Sequence, residues 1–259
     1  MHNLSDMVWI ELRKAFRSRM PLWTALGSLF MPLGISFLIW IARNPAISQT
    51  LGLIGAKANL VTYAAIEWAE YLSLFGMLIA AGGFFLYILI ISWVFGREFT
   101  DGTLKDILAV PVPRGNIVLA KYIVATAWCA ALSILIFVVG LAMGAVIQLP
   151  GVSTRVIVQH SLLVLVTACL VMAGVTPFAL FASIGRGYLL PLGLMVLTLM
   201  STNLVAILGW GEYFPWAVPA LYVQAKGVLP PVSFVMVFLT GLAGIFATVL
   251  WWKYADQNR

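Results

Sequence analysis

Charge is scarce in this chain of 259 residues: Asp, Glu, Lys and Arg together make up 9% of it, against roughly 25% in ordinary globular domains. Hydrophobic residues make up 63%, and the mean hydropathy is +1.04. A soluble fold of this length could not bury so much apolar surface. The composition therefore excludes a soluble globular domain and predicts an integral membrane protein.

The residue types that most metal sites and catalytic centres use are also few. The chain has two histidines, His2 and His160, and two cysteines, Cys129 and Cys169, which fall within apolar runs. These are too few for a zinc or bis-histidine haem site, and the sequence has no P-loop pattern. An intramembrane enzyme would need a nucleophile beside a base, and the sequence offers no such pair. We therefore expect no metal, no cofactor and no enzymatic activity on this chain.

Six continuous apolar runs are each long enough to cross a bilayer, which requires about 20 helical residues. They do not alternate apolar and polar residues as the strands of a membrane barrel do. The sequence therefore predicts an all-α membrane protein, organised as one transmembrane domain over residues 1–259. The expected spans are 22–41, 71–95, 117–147, 158–181, 189–208 and 232–252.

Residues 4–19 predict an amphipathic helix rather than a span. One face is apolar: Leu4, Val8, Leu12, Ala15 and Phe16. The other face is charged: Asp6, Arg13, Lys14 and Arg17. Met7 and Ile10 interrupt the pattern. Such a helix lies in the membrane interface with its basic residues near anionic head groups.

Residues 211–231 form a second segment that does not span. The segment is too polar and too interrupted by proline to cross the bilayer, and too aromatic for a free loop. We expect one or two short helices that dip into the outer interface as a re-entrant segment.

The loop charges predict the orientation. Six spans place both termini on the same side, and with cytoplasmic termini eleven Lys and Arg lie inside and four outside. This imbalance follows the positive-inside rule. The net charge of +6 is thereby explained without a nucleic-acid partner.

The segment "GREFTDGTLKDILAVPVPRGN", residues 96–116, holds an unusual concentration of charge. Five of the ten residues from 97 to 106 are charged: Arg97, Glu98, Asp101, Lys105 and Asp106. A charge at the bilayer centre costs about 3 kcal/mol, so this segment lies outside the membrane. Thr103 as N-cap and Asp106 approximate a capping box, and Pro111 ends the helix. The alternative is a solvated hairpin that only connects two spans.

The string "REFTDGTLKDILAVPVPRGNIVLAK" resembles the segment that follows the second span in ABC-2-type transporter permeases. The resemblance includes Glu98, the run from Gly102 to Lys105, Arg114 and Lys121. The amphipathic N-terminal helix, six spans and the broken segment before the last span extend the resemblance over nearly the whole chain.

This resemblance implies that the chain pairs with a second permease copy and with two cytoplasmic ATPase subunits, which bind ATP and magnesium. The helix between spans 2 and 3 would be the coupling helix that docks in the ATPase, and the N-terminal helix would brace it. The implied coupling residues are Arg97, Glu98, Asp101, Gly102, Thr103, Leu104, Lys105, Asp106 and Arg114. The first and fifth spans would face the second copy and the translocation route.

The resemblance favours an exporter in the bacterial plasma membrane that moves an antimicrobial peptide or drug. Acidic residues do not fall in mid-span, which argues against a proton-coupled transporter. Export of a lipid-linked glycan, a role in metal-site maturation, and a non-transporting membrane scaffold remain alternatives.

Two further groups are candidates for contact with cargo. Ser201, Thr202 and Asn203 form a polar triplet deep in the fifth span, where polar groups either bond to a neighbouring helix or line a path. An acidic and aromatic group is expected at the outer mouth, where it would attract a cationic molecule or simply start a solvated helix: Glu67, Trp68, Glu70 and Tyr71.

Overall fold

The computed structural model describes residues 3–44, 65–109 and 111–254, and this part of the chain contains helices and no strand. Six helical stretches are long and apolar enough to cross a membrane, which confirms the six predicted spans. In chain order the α-helices are α1 (Asn3–Arg17), the first span α2 (Met20–Arg43), the second span α3 and α4 (Trp68–Leu78 and Phe84–Thr100), α5 (Leu104–Leu108), the third span α6 (Arg114–Val146), the fourth span α7 and α8 (Thr154–Val175 and Pro177–Ile184), the fifth span α9 (Leu189–Ile207), α10 (Val218–Gln224) and the sixth span α11 (Pro231–Tyr254).

Several span helices extend beyond their apolar runs, because caps and prolines contribute to setting their ends. The third span begins at Arg114, directly after Pro113. The fourth span begins at Thr154, and the Ser153 hydroxyl caps it by accepting a hydrogen bond from the Val156 N–H at 3.2 Å. Capping of this kind satisfies one of the four free N–H groups of a helix start.

The second span is interrupted by a π-helical turn, Ile79–Gly83, between α3 and α4. Such a turn locally widens a helix. It lies where the first span approaches closely, since a Cβ atom on Gly82 would stand 2.9 Å from the Met31 sulfur. The absence of a side chain at Gly82 allows this approach.

The pair Thr176 and Pro177 predicts a kink in the fourth span, and the helix is interrupted there, between α7 and α8. Pro177 has no N–H to donate to the Ala173 carbonyl one turn earlier. The Thr176 hydroxyl lies 2.9 Å from that carbonyl oxygen and 2.9 Å from the carbonyl oxygen of Gly241. The Trp216 indole donates to the Gly174 carbonyl at 2.7 Å. Neighbouring side chains therefore satisfy the backbone at the bend, as a membrane interior requires.

Glycines bring the spans into close contact. Gly140 of the third span packs against Phe75 of the second, since a Cβ atom there would lie 2.5 Å from the Phe75 ring. A glycine also allows the sixth span to contact the fourth at its bend, where a Cβ atom on Gly244 would lie 2.6 Å from the Pro177 backbone nitrogen. Small residues at such positions allow backbones to approach and gain dispersion energy.

Residues 211–231 contain two short helical pieces, a 3₁₀ turn at Gly211–Tyr213 and α10. This agrees with the expected one or two short helices. Val218 of α10 is buried against Leu170 of the fourth span and Val237 of the sixth. The segment is thus packed between spans, while its depth in a membrane stays a prediction.

Replacing Gly244 with alanine is expected to destabilise the bundle by about 1–3 kcal/mol, because the new methyl group overlaps the Pro177 backbone. Thermal unfolding in detergent measures this effect. Gly193→Ala is the matched control, since no atom lies within 4 Å of a Cβ atom there. Equal melting temperatures for the two variants would contradict the proposed contact.

Candidate functional site

One end of the bundle holds a buried group of charged side chains that we call the charge cluster: Glu11, Lys14, Glu98 and Lys121. The side chain of Lys121, in the third span, is 0% exposed. Its ammonium group lies 2.6 Å from the Glu98 carboxylate and 3.1 Å from the Glu11 carboxylate, and it donates to the Val94 carbonyl at 3.1 Å. Three helices, α1, α4 and α6, therefore meet at one ammonium group.

Lys14 completes the charge cluster on its accessible side. Its ammonium group lies 2.9 Å from the Glu11 carboxylate and 3.1 Å from that of Glu98. Two cations thus balance two carboxylates, so the cluster carries no net charge. Burial of Glu11 would raise its pKa, but the ammonium groups of Lys121 and Lys14 outweigh burial and hold the pKa below its ordinary value of 4.5.

The charge cluster fixes the rotation of α1. Its bundle-facing side carries Met7, Glu11 and Ala15, which are 4%, 5% and 5% exposed. Phe16, expected on the apolar face, is 78% exposed, and Met7, expected to interrupt that face, is buried. Arg13 and Arg17 are exposed. Pairing of Glu11 with Lys121 decides this rotation, and sequence periodicity carries no signal for that pairing.

The short helix α5 follows the second span directly and presents charge outward. Lys105 and Asp106 are exposed, whereas Leu104 is 7% exposed and packs in the main hydrophobic core. Thr103 precedes the helix, but its side chain makes no capping hydrogen bond, so the predicted capping box is wrong. The helix is held by its buried leucine rather than by its cap.

Arg97, near the end of α4, contacts the turn that follows α4 and also the N-terminal helix α1. Its guanidinium donates to the Asp101 carboxylate at 3.0 Å, contacts the Lys14 carbonyl oxygen at 3.4 Å and lies 4.8 Å from the centre of the Trp93 ring. Asp101 and the following Gly102, which has a φ of +70°, are exposed. Arg97 therefore fixes the exit of the second span against α1.

The third and sixth spans are joined at the same end. The Arg114 guanidinium donates to the Trp252 carbonyl at 3.0 Å, and the Trp252 indole donates to the Ser183 hydroxyl at 3.0 Å. This network connects α6, α11 and α8. We use the term charged end for the part of the bundle formed by the charge cluster, α5 and these contacts.

The nine predicted coupling residues thus separate into three groups. The enclosed side chains are those of Glu98 and Leu104, while the exposed residues at the tip are Asp101, Gly102, Thr103, Lys105 and Asp106. Arg97 and Arg114 hydrogen-bond to the backbone of neighbouring helices. Sequence reasoning found Glu98 and Lys121 through the resemblance but missed Glu11. The position of Glu11 beside Met7 and Ile10 could have marked it as an acid that needs a cation, but the sequence did not show which cation that is.

The polar triplet of the fifth span does not bond to another described helix. Each side chain bonds to the backbone one turn earlier: Ser201 to Leu197, Thr202 to Thr198 and Asn203 to Leu199, at 2.8–2.9 Å. Ser201 and Asn203 are exposed. Ser201 and Asn203 therefore lie on a face of α9 that the described residues do not cover.

The four residues expected at the outer mouth have different surroundings. Trp68 and Tyr71 are buried, and the Tyr71 hydroxyl lies 2.8 Å from that of Ser36 and donates to the Gly140 carbonyl at 2.9 Å. Glu67 and Glu70 are exposed on different sides of α3. The two aromatic residues belong to the core, and only the two acids are accessible. Among the described residues, no group of three or more His, Cys, Asp or Glu side chains lies close enough together to hold a metal ion.

Replacing Lys121 with methionine is expected to destabilise the protein by about 3–5 kcal/mol, because it leaves two buried carboxylates with Lys14 as their one remaining cation. Thermal unfolding and protease cleavage of α1 measure the loss. Adding Glu98→Gln to Lys121→Met is expected to recover part of it, whereas Lys105→Met, an exposed control, has little effect.

The same contacts predict the pH dependence of α1 attachment. The pKa of Glu11 is lower in the folded chain than its ordinary value. Glu11 therefore contributes fully to the free energy of unfolding above about pH 4.5, and this contribution is lost as the pH falls through the folded pKa. Protease cleavage of α1 that does not increase below pH 4.5, or an unchanged melting temperature of Lys121→Met, would contradict the role of the charge cluster.

Comparison with known proteins identifies the family. A family model described as ABC-2 family transporter protein matches residues 7–203, which include the charge cluster, α5 and the polar triplet. The bacitracin transport permease protein BCRB of Bacillus licheniformis is 27% identical over 176 residues, which are 66% of this chain and 84% of that protein. Since the family model covers α1 and nearly five spans, this chain belongs to the ABC-2 family of transporter proteins and is a multi-pass membrane permease.

Proposed function

We propose that this chain is the permease of an ATP-driven exporter, and that a separate ATPase subunit docks at its charged end. Membership of the ABC-2 family supports an ABC transporter permease without enzymatic activity of its own. The ATPase, in two copies, would bind the ATP and magnesium. The observation that carries the proposal is an exposed charged helix, α5, joined to a buried charge cluster.

The exposed tip of α5 supplies the docking surface. Lys105 and Asp106 offer charges of both signs to a partner, and Leu104 anchors them to the core. Complementary charges fix the register of a protein interface more than they add affinity. In this proposal the enclosed Glu98 positions the helix and does not contact the ATPase.

The charge cluster transmits movement of the tip to the spans. Since α1, α4 and α6 share one buried ammonium group, a displacement of α5 cannot be absorbed by an independent shift of one helix. Closure of the ATPase pair would then move the second and third spans together, as rigid elements between two arrangements. The exposed Arg13 and Arg17 of α1 would face the ATPase or anionic lipid.

The docking end is cytoplasmic in this proposal. Eleven Lys and Arg are inside and four outside when both termini lie in the cytoplasm of a bacterial cell, as the positive-inside rule favours. The energy source is then on the same side as the helix that receives it.

A second copy of the permease would pack against the first and fifth spans. Within α9 only Pro191 and Met195 are buried. Leu197, Met200 and Leu204 are 58%, 61% and 63% exposed and lie beside the exposed polar triplet. A face that combines large apolar and small polar groups suits both a helix interface and a path for an amphipathic molecule.

The cargo proposed here is an amphipathic molecule such as a peptide antibiotic. The support is the printed name of BCRB, a bacitracin transport permease, together with the polar triplet on the uncovered face of α9. A lipid-linked glycan, a role in metal-site maturation, or a scaffold that transports nothing are the alternatives. ATP-dependent uptake of labelled bacitracin into inverted vesicles distinguishes them, since only the first predicts accumulation.

Reversing the two charges of α5 with Lys105→Glu and Asp106→Lys leaves the net charge, and so the predicted orientation, unchanged. We expect about tenfold weaker co-purification of the ATPase and a similar loss of transport, because like charges then face each other at the interface. Arg155→Glu, an exposed control at the opposite end, should retain both. Normal ATPase binding by the reversed variant would refute the docking surface.

Single cysteines placed on α9 test the second copy, in a chain whose Cys129 and Cys169 are replaced. Leu197→Cys, Met200→Cys or Leu204→Cys is expected to form an oxidised dimer, because the symmetric interface brings one of these positions near its own copy. Phe246→Cys on the sixth span, 66% exposed, is the control and should stay monomeric. Dimers through position 246 alone would place the interface elsewhere.

A further inference from the structure

A polar pocket of about 520 Å³ lies at the end of the bundle opposite the charge cluster, where the beginnings of α3 and α7 meet the turn after α10. Its volume falls within the range of about 300–1,000 Å³ that is usual for small-molecule sites. Its polar lining comes from Glu70, Ser73, Gln159, His160 and Lys226.

The polar pocket contains one carboxylate and one ammonium group that do not neutralise each other. Among the ion pairs formed between described residues, neither Glu70 nor Lys226 takes part. Lys226 has a φ of +51°, and Gly227 after it donates to the Tyr222 carbonyl at 2.8 Å. A non-glycine residue in this conformation is uncommon, and the turn holds Lys226 at the pocket.

His160 adds an acceptor to the same pocket. Its Nδ1 lies 2.8 Å from the Val156 carbonyl oxygen, which can only accept, so Nδ1 carries the proton of the neutral ring. Nε2 is then an acceptor. Glu70 and His160 together suit a ligand with an ammonium group, and Lys226 suits a ligand with an anion.

An apolar groove of about 510 Å³ lies between α7 and α11. Its lining includes Cys169 and Ala173 of α7 and Phe234 and Phe238 of α11. Phe238 is 62% exposed, so the groove is open to the surroundings of the bundle. In a membrane those surroundings are hydrocarbon.

The polar pocket and the apolar groove follow one another along one face of α7. Leu162 lines the pocket, and Val166, Cys169 and Ala173 line the groove at intervals of four, three and four residues, which is the spacing of one helix face. From Leu162 to Ala173 the helix rises about 16 Å. That length is about half of the ~30 Å hydrocarbon core, the depth of one lipid leaflet.

We propose that the polar pocket and the apolar groove together bind one phospholipid with a zwitterionic headgroup. The headgroup ammonium lies against Glu70, the phosphate against Lys226, and one acyl chain follows the groove past Cys169. A purely apolar ligand would leave both pocket charges without a counterpart. A headgroup that carries only the phosphate would leave Glu70 beside a like charge. The site needs no ATPase and is independent of the function proposed above.

Native mass spectrometry tests the headgroup preference. The full chain in detergent is equilibrated with equal amounts of phosphatidylethanolamine and phosphatidylglycerol. We expect one phosphatidylethanolamine to be retained with about tenfold preference, the effect of one charge-assisted contact. Glu70→Gln is expected to abolish the preference, and Lys226→Gln to reduce retention of both lipids.

Glu67→Gln is the matched control, because Glu67 is an exposed acid of the same end that approaches Gly151 and does not line the polar pocket. This variant should keep the tenfold preference. Equal retention of the two lipids by the unaltered chain, or an unchanged preference in Glu70→Gln, overturns the proposal.

Alkylation of Cys169 tests the path of the acyl chain. Cys169 is exposed and Cys129 is buried. N-ethylmaleimide therefore reports on the surface of α7 at Cys169, which borders the apolar groove and also a cavity beside Tyr87 of the second span. Phosphatidylethanolamine is expected to slow the reaction about tenfold, in line with its retention, whereas glycerophosphoethanolamine, which lacks acyl chains, does not. Retention of the lipid without protection overturns the proposed path.

Two other occupants of the groove would give different results. Protection that depends on protein concentration and needs no lipid would assign the groove to a second copy. Protection by bacitracin but not by phosphatidylethanolamine would assign it to a peptide. Either result overturns the proposal, whether or not the chain transports anything.

Discussion

The buried ammonium group of Lys121, held between the carboxylates of Glu11 and Glu98, is the constraint that organises one end of this protein. An isolated buried charge costs several kcal/mol, and a pair repays that cost only when the geometry is good. Since each carboxylate comes from a different helix, the contact forms only when α1, α4 and α6 adopt one arrangement. The cluster therefore contributes specificity of helix packing more than net stability.

The remainder of the bundle follows the rule that a membrane interior leaves no backbone group unpaired. The bend at Pro177 is possible because Thr176 and Trp216 satisfy the interrupted turn. Close packing at Gly140 joins the third span to the second, and close packing at Gly244 joins the sixth span to the fourth. Gly76, which approaches Leu163, joins the second span to the fourth. The fifth span has a face that the described part of the chain does not cover, which is where a second copy and a translocation path are proposed.

The two ends of the bundle carry different electrostatic arrangements. At the charged end, opposite charges neutralise each other inside the protein, and exposed charges remain at the surface, including those of α1, α5 and the turn before α5. At the opposite end, Glu70 and Lys226 share a pocket without forming an ion pair. The first arrangement suits a mechanical joint, because its contacts are internal. The second suits a ligand site, because its two charges have no ion-pair partner among the described residues.

The sequence by itself determined the six spans, the bend at Pro177 and the position of the charged segment, because hydropathy, helix length and proline chemistry act locally along the chain. Only the tertiary structure decided that Glu11 meets Lys121, that Phe16 faces away from the bundle and that Thr103 makes no capping bond. It also decided which acid of the pair Glu67 and Glu70 lines a pocket. These outcomes depend on how each helix rotates about its axis and crosses its neighbours, and residue spacing within one helix carries no information about that.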